Sequence, residues 1–288
     1  MSSSLQAIRK ANINSSSFDT YTIPISNSTA LRVYSSTKPH NWKIAGLQKG
    51  LTLIHNGTEM IGEGTGFGLP VLVYSDETYF SATSKVCLSQ CNNYWTIRKE
   101  FIIDRMARNR FRNITLENRA ARALFASLAG MYQRHRHFRF LKLKSLTGKM
   151  HVEAAFVKAM SMGRVTVTYT IVGRRIRVRV DFKNLKRRNL QKIFILNEQG
   201  SRFFRKYNDS RGIELMDEKI GAWEIINTEW ASLTVPHSGF GFRLWKVDKA
   251  ILRTGREFLK DSLDWVGLDY ETSPATSVFE YLIEIVGV

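Results

Sequence analysis

The sequence predicts a mainly β protein, a single large antiparallel β-sandwich with a few short helices. Three observations carry that expectation. Ten short segments rich in β-branched or aromatic residues recur along the chain, from "ALRVYSS" (30–36) to "VFEYLIEIVGV" (278–288), most of them closed by Gly, Asn, Asp or Ser. Residues 163–184, "GRVTVTYTIVGRRIRVRVDFKN", alternate apolar and polar side chains on either side of Gly173, the pattern of a hairpin with one buried face. Finally, 288 residues with 43% hydrophobic composition can fill one core between two large sheets, and no linker-like stretch interrupts the rhythm.

Taken in order, residues 1–20, with the Ser-rich start "MSSSLQAIRK", read as a loosely ordered leader, and residues 21–288 as one sandwich domain. "ALRVYSS", "LTLIHNG" and "LPVLVYSD" open the strand series. In "RHRHFRFLKLKSL" (134–146) the alternation slips by one residue near Phe140, which a β-bulge would explain. Helical spacing is confined to "LENRAARALFASLAGMYQ" (116–133), with Gly130 as a stop, and to two shorter candidates, "VEAAFVKAMSMG" (152–163) and "KAILRTGREFLKDSL" (249–263). In the hairpin, Val165, Val167, Tyr169, Ile171, Ile176, Val178 and Val180 share the apolar face. Arg175, Arg177 and Arg179 share the other, either as a solvated surface or as a grip on anions.

Charge is the strongest compositional signal. The net charge is +18, and residues 98–211 alone hold 29 Lys or Arg against 7 Asp or Glu. A field of that sign concentrates polyanions near the surface. The N-terminus lacks an apolar signal core, and no window offers roughly 18 uncharged apolar residues, so a cytoplasmic protein without membrane contact is expected. The two cysteines, Cys87 and Cys91, lack the second pair that a structural zinc site needs, and His135 with His137 lacks a third ligand. No metal and no cofactor is expected, and oligomeric state is open.

Three constellations could carry chemistry. In "GEGTGFG" (62–68) the third glycine is out of place for a dinucleotide fingerprint, the flank reads as strand, and the Lys-Ser/Thr of a P-loop is missing. Alternate glycines instead leave one strand face bare for a backbone or a flat ligand. Glu63, Thr65 and Phe67 would project together from the other face, a carboxylate, a hydroxyl and a ring suited to a sugar. In "NEQGSRFFRKYNDSRG" (197–212), Glu198, Arg202 and Arg205 could hold an acidic saccharide. Tyr207 could move the proton that β-elimination of a uronate requires. In "PHSGFGFRLW" (236–245), His237 could serve as general acid or base. The candidate catalytic residues are therefore Tyr207, His237 and Glu63. The candidate ligand-binding residues are Phe67, Arg177, Arg179, Glu198, Arg202 and Arg205. A functional site requires Glu63, Tyr207, Arg177 and His237 to line one concavity.

The Gly-rich segment running into Pro70 ("GFGLPVLVY"), the late segments "PHSGFGFRLW" and "FEYLIEI", and the chain length together resemble the galactose mutarotase-like β-supersandwich superfamily over roughly residues 30–288. That resemblance implies a carbohydrate-binding or carbohydrate-active protein. Aldose epimerases of the family use a mid-chain histidine as acid and a late glutamate as base. His151 and Glu280 fall in those regions, but their surroundings do not match, so neither is assigned that role.

Three function classes stay open. The first is a carbohydrate-binding or carbohydrate-active protein for an acidic saccharide. The second is a non-sequence-specific nucleic-acid-binding protein using the basic 98–211 region, although no RNP, KH, zinc-finger or helix-turn-helix signature occurs. The third is a structural β protein with an acidic partner.

Overall fold

The computed structural model describes residues 19–35, 49–61, 65–75, 77–91, 93–111, 152–259 and 263–287. The chain divides into two compact units, residues 1–106 with 158–288, and residues 107–157. The first of these units holds the sandwich.

Every described strand pairing is antiparallel, and the described helical content is one 3-10 turn, Asp217–Ile220. Strand pairing yields two seven-stranded runs. The first runs β7 (Tyr94–Phe111), β6 (Glu77–Cys91), β5 (Gly66–Tyr74), β10 (Leu190–Gln199), β17 (Leu263–Thr272), β16 (Ala250–Leu259), β13 (Glu224–Ile225). The second runs β8 (Val152–Val172), β9 (Arg175–Leu185), β18 (Val278–Val286), β15 (Gly241–Trp245), β14 (Trp230–Thr234), β11 (Lys206–Asp209), β12 (Glu214–Met216). A smaller meander, β1 (Asp19–Pro24), β2 (Thr29–Ser35), β3 (Leu51–His55) and β4 (Thr58–Glu59), joins the first run where Leu51 faces Phe67.

The two runs face each other, as the sandwich expectation requires. Hydrophobic side chains at alternate positions fill the space between: Ile176, Val178 and Val180 from β9, Ile193 and Ile195 from β10, Leu268 and Tyr270 from β17, all fully buried. Ring contacts cross the gap, Phe67 edge-on to Phe242 and Tyr270 against Phe279 and Tyr281. A buried ring carrying a hydroxyl needs a partner for it. Tyr169 donates to the Phe67 carbonyl (2.7 Å) and Tyr281 to Asn197 Oδ1 (2.7 Å), two hydrogen bonds that stitch one sheet to the other, and Tyr74 donates to the Lys186 carbonyl (2.6 Å) just after β9.

The hairpin of residues 163–184 forms as the alternation requires, with Gly173 in its turn and Arg175, Arg177 and Arg179 outward. Two helix expectations are overturned. Residues 152–163 are the first half of β8, and residues 250–259 are β16, which pairs with β17 in ten consecutive positions from Ala250 opposite Thr272 to Leu259 opposite Leu263. Ala, Met, Lys and Glu favour helix only when nothing competes, and a ladder of that length outweighs local propensity. The expected helix at 116–133, the strand at 134–146 and His151 lie outside the described residues.

The glycine segment is a close-approach device. Gly68 has φ of 80° and sits where the β5–β10 register shifts, and a Cβ there would come within 2.7 Å of the Tyr169 hydroxyl. The bare face thus receives a protein side chain rather than a ligand. The Gly68 N–H, left unpaired by the bulge, donates to Asn197 Oδ1 at 3.1 Å.

Candidate functional site

The outer face of the second sheet carries a groove of about 900 Å³ over β11, β14 and β15. Cross-strand register assembles its floor. Asn208 lies opposite Ser232, Ser232 opposite Arg243, and Trp230 opposite Trp245. Turns form the walls. At one end Asp209, with its side chain fully buried, accepts from the Arg211 backbone (2.9 Å), the Ile213 backbone (3.2 Å), the Tyr207 hydroxyl (2.9 Å) and the Arg211 guanidinium (2.6 Å), and so fixes the bend that carries Ser210 and Gly212. Despite burial, those donors hold the Asp209 carboxyl below its ordinary value. At the other end the turn after β14 exposes His237, whose φ of 71° bends the backbone over the groove mouth.

The chemistry of the groove centres on Arg243. Its guanidinium lies 4.2 Å from the Trp230 ring centre and 5.9 Å from that of Trp245, so two indoles hold it. A planar cation stacked in this way keeps its in-plane donors available. Among the described residues its carboxylate neighbour is Glu284 at 3.7 Å, and its Nε is buried without a described hydrogen-bond partner. Lys206 lines the same groove, paired with Glu214 at 2.6 Å. The arrangement offers an anion fixed cationic donors on a flat aromatic base, with amide and hydroxyl groups alongside.

A second cluster lies on the outer face of the first sheet. Glu198 is 7% exposed and accepts from the Thr65 hydroxyl at 2.9 Å. Burial pushes its carboxyl up to about 7, with the charge of Glu257 adding to the shift. Burial likewise raises the Asp269 carboxyl, and the charge of Glu198 acts in the same direction. The indole of Trp223 covers this cluster. It rests on Gly255 and Gly267, where a Cβ would come within 2.5 Å and 3.0 Å of the ring, and its Nε1 donates to Glu257 at 3.0 Å.

The structure separates the residues that the sequence would group. Glu63 lies outside the described residues. Phe67 is fully buried between the sheets, so it cannot stack on a ligand. Tyr207 is 1% exposed with its hydroxyl donating to Asp209, and both burial and that carboxylate raise its pKa. Arg202 grips Asp264, which also accepts from the Ser201 hydroxyl and the Arg202 backbone at 2.8 Å each. Arg205 binds both oxygens of Asp217 at 2.6 and 2.8 Å. Both arginines brace turns, with about half of each side chain exposed. Arg179 pairs with Glu280, while Arg177 and His237 share the outer face of the second sheet, on the side away from Glu198. The expected single concavity of Glu63, Tyr207, Arg177 and His237 therefore does not form among the described residues.

Trp230, Arg243 and Lys206 escaped the sequence reading. Arg243 and Trp245 do alternate outward in "GFRLW", a visible signal. Their meeting with Trp230 depends on the β14–β15 register, which no local pattern specifies.

Among the described residues no group of three or more His, Cys, Asp or Glu is placed to hold a metal ion. No described helix is long and apolar enough to cross a membrane. No family model and no curated protein matches the sequence. Among solved structures the chain is similar to the Slr1438 protein from Synechocystis sp. PCC 6803, with 10% identity and a TM-score of 0.38, over 92% of this chain and 94% of that one. It is also similar to a galactose mutarotase related enzyme from Lactobacillus acidophilus, with 8% identity and a TM-score of 0.40, over 92% and 97%.

Proposed function

We propose that the protein binds an acidic saccharide in the groove over β11, β14 and β15. The observation that carries this is Arg243, stacked 4.2 Å from Trp230 at the groove floor with its side chain 32% exposed. A uronate carboxylate meets the guanidinium, and sugar hydroxyls meet Asn208, Lys206 and the exposed His237 at the rim. Neutral sugars satisfy the hydroxyl partners but leave the Arg243 donors unmet, so the site discriminates by charge.

A glycan array carrying uronates and their neutral counterparts tests the class. Uronates are expected to bind and neutral epimers to be rejected; equal binding of both contradicts the role given to Arg243. By calorimetry, Arg243→Ala is expected to weaken uronate binding about 10- to 100-fold, the equivalent of losing charge-assisted hydrogen bonds worth about 1.5–3 kcal/mol. Unchanged affinity in that variant places the site elsewhere.

A further inference from the structure

The outer face of the second sheet continues beyond the groove, and its charges are arranged in register. Ser232 lies opposite Arg243, Arg243 opposite Glu284, and Glu284 opposite Arg175, so these four occupy one row running across β14, β15, β18 and β9. In the next row Leu282 lies opposite Arg177. Two strand spacings separate Arg243 from Arg175, about 10 Å. No turn or helix among the described residues interrupts the row, since β15, β18 and β9 are direct neighbours.

The arginines on β9 are not equivalent. Arg179 is taken by Glu280. The side chains of Arg175 and Arg177 are exposed and make no ion pair with any described residue. Their backbone positions are nonetheless fixed by pairing on both sides, with β8 through Val172 and Thr170 and with β18 through Glu284 and Leu282. These two exposed cations, on a strand paired on both sides, lie two strand spacings from Arg243. Between them and Arg243 stands Glu284, which suits the hydroxyls of a sugar lying between two charged contacts.

We infer that the ligand is a linear polyuronate chain of several residues, with one carboxylate at Arg243 and another, farther along the same chain, at Arg175 and Arg177. This rests on the acidic-saccharide reading of the groove. It adds that the protein recognises a polymer and that the chain runs across the strands. A single uronate reaches one of the two subsites. Tethering the second contact to the first raises affinity through effective concentration, without any new kind of bond. Single-stranded nucleic acid fits the same face less well. Its binding sites use rings on which successive bases stack, whereas Trp230 lies against Arg243 and the outward positions of β8 and β9 beside the subsite are Thr168, Thr170, Val172, Arg175 and Arg177, none of them aromatic.

Calorimetry with oligogalacturonates from monomer to hexamer, and with an oligothymidylate of matched charge, tests this directly. For the unaltered chain the affinity is expected to rise at least about tenfold between dimer and hexamer, as a tethered second contact provides. The Arg175→Ser, Arg177→Ser double variant is expected to abolish that rise; both positions are exposed, and circular dichroism verifies the fold. A length-independent affinity overturns the polymer inference while leaving the groove reading intact, as does a rise that survives in the double variant. Failure of every uronate to bind overturns the groove reading and this inference with it. Oligothymidylate binding as tight as the hexamer, with the same dependence on the two arginines, overturns the choice of saccharide over nucleic acid.

Discussion

Replacing Asn197 with leucine is expected to lower the unfolding free energy by about 4 kcal/mol. The two side chains are similar in size, so the effect isolates hydrogen bonding. Asn197 is fully buried on β10 and uses both ends of its amide: Oδ1 accepts from the Gly68 backbone (3.1 Å) and the Tyr281 hydroxyl (2.7 Å), while Nδ2 donates to the Leu268 carbonyl (3.1 Å) and the Ile195 carbonyl (3.3 Å). Leucine would leave a backbone N–H and a tyrosine hydroxyl buried without acceptors. Each orphaned group costs about 1–3 kcal/mol. Tyr281→Phe removes one donor and leaves the rest of the network, so its expected loss is smaller, about 1 kcal/mol. Urea unfolding with an unchanged m-value measures both. If Asn197→Leu unfolds at the wild-type urea midpoint, this amide does not hold the bulge and the two sheets together.

Stability against pH is expected to pass through a local minimum near pH 7, because two buried groups act in opposite directions on either side of it. Burial raises Glu198 from 4.5 to about 7. A carboxyl with a raised folded pKa contributes stability that is complete below 4.5 and is lost as pH climbs to about 7, on the order of 3 kcal/mol. Asp269, raised by burial and by Glu198 and lowered by Arg253, acts in the same sense. Lys99 works the other way. It is fully buried on β7, and burial lowers it from 10.5 to about 7. Between those two values the unfolded chain binds the proton and the folded chain does not, so stability rises with pH above about 7. Losing the proton does not break the local structure. A neutral amine keeps two N–H donors, enough for the Tyr34 carbonyl (2.6 Å) and the Lys49 carbonyl. Urea midpoints from pH 4.5 to 10 locate the minimum. Glu198→Gln is expected to shrink the acid limb to the part that Asp269 supplies and to leave the alkaline limb. A single monotonic curve, or an acid limb of undiminished height in Glu198→Gln, contradicts the assignment.

These residues also mark how far the sequence could be read. Alternation in 163–184 specifies the β8–β9 hairpin to the level of which side chains are buried, since a one-residue slip would turn every valine outward. The same logic missed β16. In "AILRTGREFL" Leu252 and Thr254 are buried but Gly255 is bare, and the alternation that would identify a strand is broken at the position where the Trp223 ring lies. Phe67 and Tyr207 show the complementary limit for sites. An aromatic beside glycines, or a tyrosine in a charged loop, has the composition of a ligand site, but burial decides its role, and burial follows from which sheet packs against that face. Glu198 was legible as a charged residue of interest, although not as a carboxyl under an indole contributed from 25 residues downstream. The Arg243–Trp230 stack could not be seen because it needs two strands and their register together.

The central claim is that an acidic saccharide occupies the groove on the second sheet. A crystal structure of the protein soaked with a short oligogalacturonate tests it most directly. The expected result is a uronate carboxylate within hydrogen-bonding distance of the Arg243 guanidinium, with the sugar beside Asn208 and Trp230. A saccharide seated instead on the first sheet, over Trp223 and Glu198, would contradict it.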